Sequence, residues 1–237
     1  MTISPCLLPR TQTLTPAFVD RGGSLAELQS ALAAEPDALL YFYVVSTARL
    51  NDDGRITQHG SGPNLEGGVA TLCTCKHHVR TWRGVATGTW VAGVTSGAAG
   101  AGVGQALFYL ARIERTFVSH RELWAALPEA ARRAKSMSEN YVGDVFEPLP
   151  DTVDEPYAAG SYRPVAHHSH VTETGDATAL DRDRCDVPGV RPRLVAFDPA
   201  ATFAWQRPLI RREAGAGRGA RRTRLADFID SLTEVTS

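Results

Sequence analysis

The residues best suited to chemistry sit close together as Cys73-Thr74-Cys75-Lys76-His77-His78, with Arg80 just beyond. On a strand, Cys73 and Cys75 share one face, which suits a soft metal ion if His168 or His170 joins them. CxC is not the usual CxxC knuckle and no second CxxC follows. Two small buried hydrophobes are the alternative, and neither a metal nor a cofactor is assigned. Lys76 stands where a strand gives way to a helix or turn. With Arg80 it places two cations at a strand end, suited to a phosphate, a carboxylate or the oxygens of a base. A solvated surface pair is the competing reading.

Three further groups carry reactive or recognition-competent side chains. His167-His168-Ser169-His170 supplies imidazoles able to act as general acid or base near neutral pH, or forms a His-rich surface loop. Tyr41, Tyr43, Trp82, Trp90, Tyr109 and Trp205 are what a base-stacking groove needs, and also what a core needs, where most of them are expected. The basic run Arg207, Arg211, Arg212, Arg218, Arg221, Arg222 and Arg224 is opposed only by Glu213. It can hold a phosphodiester backbone by counterion release, with Arg211, Arg212, Arg218 and Arg221 as the expected contacts, or form a solvated arm. Between Gly93 and Gly104 the chain is mainly Gly and Ala, without the GxxxxGK[ST] or GxGxxG spacing, so it reads as a loop rather than a phosphate cradle.

The elements that must position these groups follow from pattern. Ser24 with Glu27 makes a capping box before a helix striped by Leu25, Leu28 and Leu32. Leu39 to Ser46 is aromatic and β-branched, a buried strand. Asn51 to Gly54 is a turn, and His59 to Gly68 a Gly-rich loop. Val69 to Cys75, Thr89 to Val94 and Gln105 to Glu114 read as strands, with a short helix over Lys76 to Trp82. Ser119 caps a helix reaching Leu127. Tyr141 to Pro150 is extended, and Thr152 to Asp186 polar and loop-like. Arg193 to Phe197 is the expected last strand, with Ala201 to Trp205 beside it. A final helix carries Leu225, Phe228, Ile229 and Leu232.

With 237 residues and 43% apolar content, the chain builds one substantial domain. It divides into an N-terminal extension and helix (1–38), a main domain (39–206), and a basic arm with an amphipathic helix (207–237). A net charge of −1 removes a global electrostatic argument for nucleic acid, leaving only a local basic patch. No apolar run reaches bilayer length, and Cys6-Leu7-Leu8 is too short for a signal-peptide core. A cytoplasmic protein with its four cysteines reduced is the expectation.

The order of motifs carries a resemblance. Thr71-Leu72-Cys73-Thr74-Cys75-Lys76, Arg80, and Gly88-Thr89-Trp90-Val91-Ala92-Gly93-Val94-Thr95-Ser96 resemble the signature of the nucleotide modification associated domains, the second of that name. Ala106 to Trp124, Gly143-Asp144-Val145-Phe146-Glu147-Pro148, His170 and Arg193 to Phe197 match its later elements in order. Thr89 stands where the family usually has Asp, and Val94-Thr95 replaces its Gly-Thr or Gly-Gly pair. The order also resembles the PUA, EVE and ASCH class of small base-binding barrels.

The resemblance implies an α+β fold, a PUA-like, partly open mixed β-barrel with peripheral helices. It also implies a role in bacterial or phage DNA-modification or defence pathways. The expected function is recognition of a modified base or nucleotide, free or in DNA. Lys76 and Arg80 would engage phosphate or base oxygens, Trp90 or Tyr43 would stack, and Ser96 would hydrogen-bond a base edge. The alternatives are an enzyme with Lys76 or Cys75 as nucleophile, His170 as base and Asp144 orienting it, or a subunit binding partner proteins of a modification system through its C-terminal helix.

Overall fold

The structure is a computed structural model that describes residues 20–58, 62–72, 84–96, 104–136, 145, 147–150, 194–213 and 219–235. The expected elements around Cys73 to Trp82, the Gly/Ala loop at 97–103, half of Tyr141 to Pro150 and the whole of Thr152 to Asp186 lie outside the described residues.

The chain enters through α1 (Leu25–Leu32), where Ser24 accepts the Glu27 amide and the Glu27 carboxylate accepts the Ser24 amide in return. That reciprocal bonding satisfies two donors a helix start leaves open, and Leu28 and Leu32 are buried below it. β1 (Leu39–Val45) follows, then a hairpin of β2 (Ala48–Leu50) and β3 (Ile56–Gln58). Its turn is set by Gly54 at φ 70° and by the Asn51 side chain accepting the Arg55 amide at 2.8 Å.

A short 3-10 turn (Glu66–Gly68) leads to β4 (Thr71–Leu72), the described part of the strand expected from Val69. β5 (Trp90–Thr95), β6 (Gln105–Phe117), α2 (His120–Ala126) and α3 (Glu129–Ser136) follow. Ser119 caps α2 as its sequence indicates, accepting the Glu122 amide at 3.2 Å. α3 has no buried leucine stripe to announce it; helix-forming residues after Pro128 are its only sequence signal.

β7 runs from Leu194 to Ala204 as one strand, not two neighbours, and it is not the last. Its partner β6 shifts register around Arg112: Ala111 lies across from Thr202, and Ile113 across from Phe197. Asp198 and Pro199 fall in that irregularity, where a proline without an amide hydrogen breaks no ladder bond. β8 (Ile210–Arg212), β9 (Arg221–Arg224), α4 (Leu225–Asp230) and β10 (Leu232–Glu234) complete the chain. The basic stretch thus supplies two strands of the sheet.

The main sheet runs β10-β8-β6-β5-β1-β9, with β7 also on β6 and β4 on β7. Among the described residues only β1 and β5 pair in parallel; the other pairings are antiparallel. The sheet is curled, as the chain after β9 demonstrates. Five strand spacings separate β9 from β10 along the sheet, roughly 24 Å if flat. α4 joins them with six residues, a rise of about 9 Å. The two edges must therefore approach each other, and α4 straps the seam. The result is an α+β protein on a mixed, barrel-like sheet.

α4 buries Leu225, Phe228 and Ile229, and the Phe228 ring packs at a tilt against Phe42 of β1, centroids 5.2 Å apart. On the other face of β1, Tyr43 and Tyr109 share a hydrogen bond between hydroxyls at 2.9 Å. Trp90, Trp205, Phe108 and Phe197 are also fully buried. Burial on this scale contributes roughly 1.5–3 kcal/mol per large side chain.

The β6 irregularity is held by charge. Arg112 donates to Glu35 and, at 2.7 Å, to Asp198, while the Trp90 indole donates to Glu35 at 3.0 Å. The hydrogen bond from Arg112 is the main cause holding the Asp198 carboxyl below its ordinary range. A folded-state value below the unfolded one gives stability that is present above about pH 4 and lost as pH falls through the folded value. Arg112→Met should therefore cost about 1–2 kcal/mol at pH 7, after allowance for solvent screening of these part-exposed groups. In urea melts of both proteins at pH 7 and pH 3, the difference should shrink in acid; an equal difference at both would refute this account.

Candidate nucleotide-binding site at the barrel seam

The seam is where the sheet's two edges meet, and arginines stand on both sides of it. Arg221 of β9 lies directly across from Phe42 in the antiparallel register. Arg212 of β8, the strand next to the opposite edge strand β10, has its guanidinium carbon 4.6 Å from the Phe42 ring centre. Phe42 is only 4% exposed, so its ring is a floor for Arg212 and not a stacking surface for a base. The Arg212 Nε–H donates to the Ser231 hydroxyl at 3.1 Å, which fixes the plane of the guanidinium. Burial, and after it the like charge of Arg221, pushes the Arg212 pKa below its ordinary value. Arg212 thus lies on an apolar floor and feels the like charge of Arg221, the residue paired with Phe42.

The neighbouring arginines are differently employed. Arg211 pairs with Glu213 at 3.5 Å and donates to the Thr233 hydroxyl. Arg224 donates from Nε to Asp227 at 2.9 Å and also reaches Asp37. Arg222 is exposed, and strand alternation turns it to the face opposite Arg221. Arg218 lies outside the described residues.

Ser96 belongs to this end of the barrel. It follows Thr95, whose hydroxyl accepts the Ala106 amide at 3.0 Å, and Ala106 pairs with Arg211. Gln105, 6% exposed, pairs with Arg212. The threshold of the Cys73 to Arg80 segment lies elsewhere: Leu72 is across from Val195, itself across from Thr116. Ala106 and Thr116 stand near opposite ends of β6, roughly 30 Å apart along the strand at about 3.3 Å per residue. Cys75, Lys76, Arg80, Asp144 and His170 lie outside the described residues.

Tyr43 and Trp90, the expected stacking residues, are 0% and 2% exposed. Tyr43 bonds Tyr109, and Trp90 bonds Glu35 with the Arg112 guanidinium 6.0 Å from its ring. Both act here as packing and anchoring groups. Thr89 is 4% exposed; its hydroxyl accepts the Ala86 amide at 3.2 Å and donates to the Gly84 carbonyl. With Gly88 at φ 87°, it shapes the turn into β5.

A second polar centre, which pattern reading missed, lies beside β4. Asn64 and Thr71 exchange both backbone hydrogen bonds at 2.9 Å, so their side chains share a face. The Lys135 amine, from α3, donates to the Asn64 carbonyl at 3.0 Å and to its side-chain oxygen at 2.9 Å. Asn64 also accepts the Glu66 amide at 3.1 Å. Asn64, Glu66, Thr71 and Lys135 are all at least nine-tenths buried. Lysine and glutamate are rarely buried without a structural or chemical reason. Nothing local marks them, because burial here is created by the approach of α3.

No helix among the described residues is long and apolar enough to cross a membrane. Among those residues, no three His, Cys, Asp or Glu side chains converge as metal ligands. No family model matches the chain, and comparison with curated proteins and with solved structures likewise returns no match.

Proposed function

We propose that this chain is a binding module for a nucleotide or nucleic acid, and that the barrel seam takes the phosphate. The observation carrying this reading is the pair Arg212 and Arg221 flanking Phe42. Charge-assisted bonds to guanidinium are strong and geometrically selective for phosphate oxygens. Ser96 and Gln105 at the same end offer hydroxyl and amide groups to a base edge. The resemblance supplies the setting: recognition of a modified base in a cytoplasmic DNA-modification or phage-defence pathway.

Arg221 is exposed, so Arg221→Glu should leave the melting temperature within a few degrees of wild type. In anisotropy titrations with short DNA and in calorimetry with nucleotides, it should weaken binding at least about tenfold. Unchanged binding to every probe would remove the seam as the site.

A second reading, an enzyme, is favoured by the buried Glu66 and Lys135 beside β4, the strand that leads toward Cys75 and Lys76. Mass analysis of each bound ligand after incubation separates the two. An unchanged ligand is the result expected of a binding module, and a converted one would make the chain an enzyme.

A further inference from the structure

We propose that the outer edge of β9 is a docking site for a partner protein, which adds an extended strand carrying two adjacent acidic residues. This stands apart from the phosphate reading, since it rests on the edge backbone and on Arg222, which faces away from Phe42. β9 ends the main sheet and, among the described residues, pairs with β1 alone. The Leu225 amide donates to the Ala38 carbonyl at 2.9 Å, one step beyond the pairing of Arg224 with Leu39. Antiparallel pairs alternate between bonded and non-bonded, so Thr223 and Arg221 exchange bonds with Leu40 and Phe42. Arg222 and Arg224 therefore turn their backbone groups away from β1. The Arg224 carbonyl, at the N-cap of α4, serves the first turn of that helix. The Arg222 amide and carbonyl and the Arg224 amide are left along the edge, where both residues are exposed. Such an edge is a template for an added strand.

The side chains select that strand. Arg221 shares a face with Phe42, and Arg222 shares the opposite face with Tyr41. α4 departs over the Phe42 face, where Phe228 packs, and leaves Arg222 exposed. Arg224 is paired with Asp227 and Asp37, whereas neither Arg221 nor Arg222 has an acidic partner among the described residues. Consecutive cations pointing to opposite faces are met by two consecutive carboxylates on the added strand, because alternation sends those to opposite faces too. A second copy of β9 would set arginine against arginine, and like charges destabilise a cross-strand pair.

The test is calorimetry and hydrogen exchange on the full chain with the peptide acetyl-Val-Thr-Glu-Glu-Thr-Val-amide and its Gln-Gln counterpart. The Glu-Glu peptide should bind about threefold to tenfold more tightly, and should slow exchange at the Arg222 and Arg224 amides. Arg222→Pro removes one outward amide and no ladder bond, so it should abolish peptide binding while the melting temperature stays near wild type. Arg222→Glu keeps the backbone and should erase the preference for Glu-Glu. Equal binding of the two peptides, no binding of either, or binding without protection of those amides would overturn the proposal. So would protection of the same amides by short single-stranded DNA and not by the peptide, or by a concentration-dependent dimer of the chain alone.

Discussion

Gly93→Ala should cost about 3 kcal/mol and lower the melting temperature by roughly 6–12 °C, although it adds one methyl group. Gly93 lies on β5 between Tyr43 of β1 and Tyr109 of β6, directly across from both. The two tyrosine hydroxyls meet over it at 2.9 Å. A Cβ at position 93 would stand 2.4 Å from Tyr109 Cε1 and 2.6 Å from Val45 Cγ2. Tyr109 is fully buried, so its ring cannot swing into solvent. Either the ring moves and the hydroxyl pair separates, or β5 shifts against both neighbours. The check is thermal unfolding of Gly93→Ala and of Gly93→Ala with Val45→Ala. Shortening Val45 should return part of the loss. A single variant as stable as wild type would refute the packing described here.

Gly67→Ala should be of similar size, about 2–4 kcal/mol, for two separable reasons. Its φ of 71° is strained for a residue bearing a Cβ, at about 1–2 kcal/mol. That Cβ would also lie 2.6 Å from Ala131 Cα and 3.1 Å from Ala134 Cβ, pushing α3 away from the turn. The Lys135 bonds to Asn64 depend on that close approach. Gly68 provides the control, since its φ is 79° but nothing lies within 4 Å of its Cβ position. Gly68→Ala should lose only the conformational part. Denaturant melts of the two variants, with hydrogen exchange across α3, measure the difference. Equal losses, with unchanged protection in α3, would show that the turn does not hold the helix.

Much of the local structure was legible from residue type and spacing. Ser24 and Glu27 form their capping box, Ser119 caps α2, and the stripe Leu225, Phe228 and Ile229 is buried, while Leu232, expected on the same helix, is buried as the first residue of β10. The strands at Leu39, Thr89 and Gln105 begin within a residue of where their aromatic and β-branched content places them. These features depend on contacts within a few residues, which alternation and helical period encode directly. β7 shows the limit. Asp198-Pro199 reads as a break, yet an irregular pairing opposite Arg112 carries the strand through it. A proline's effect depends on whether its partner strand needs that amide, and the partner is more than eighty residues away.

The sequence alone determined the types of α1, β1, β5, β6, α2 and the final amphipathic helix, the α+β class and the two caps, but not α3 or the strands of the basic stretch. It also brought the basic run into view. Only the tertiary structure decided that α4 straps a seam, that Tyr43 and Trp90 are packed inside, and that Arg212 lies over Phe42, the residue paired with Arg221. Residues 42, 212 and 221 share no local period. They meet because the sheet curls until its edges approach, and curl is a property of many non-local pairings together. The burial of Lys135 and Glu66 has the same origin, since one helix must close over a turn before either side chain is enclosed.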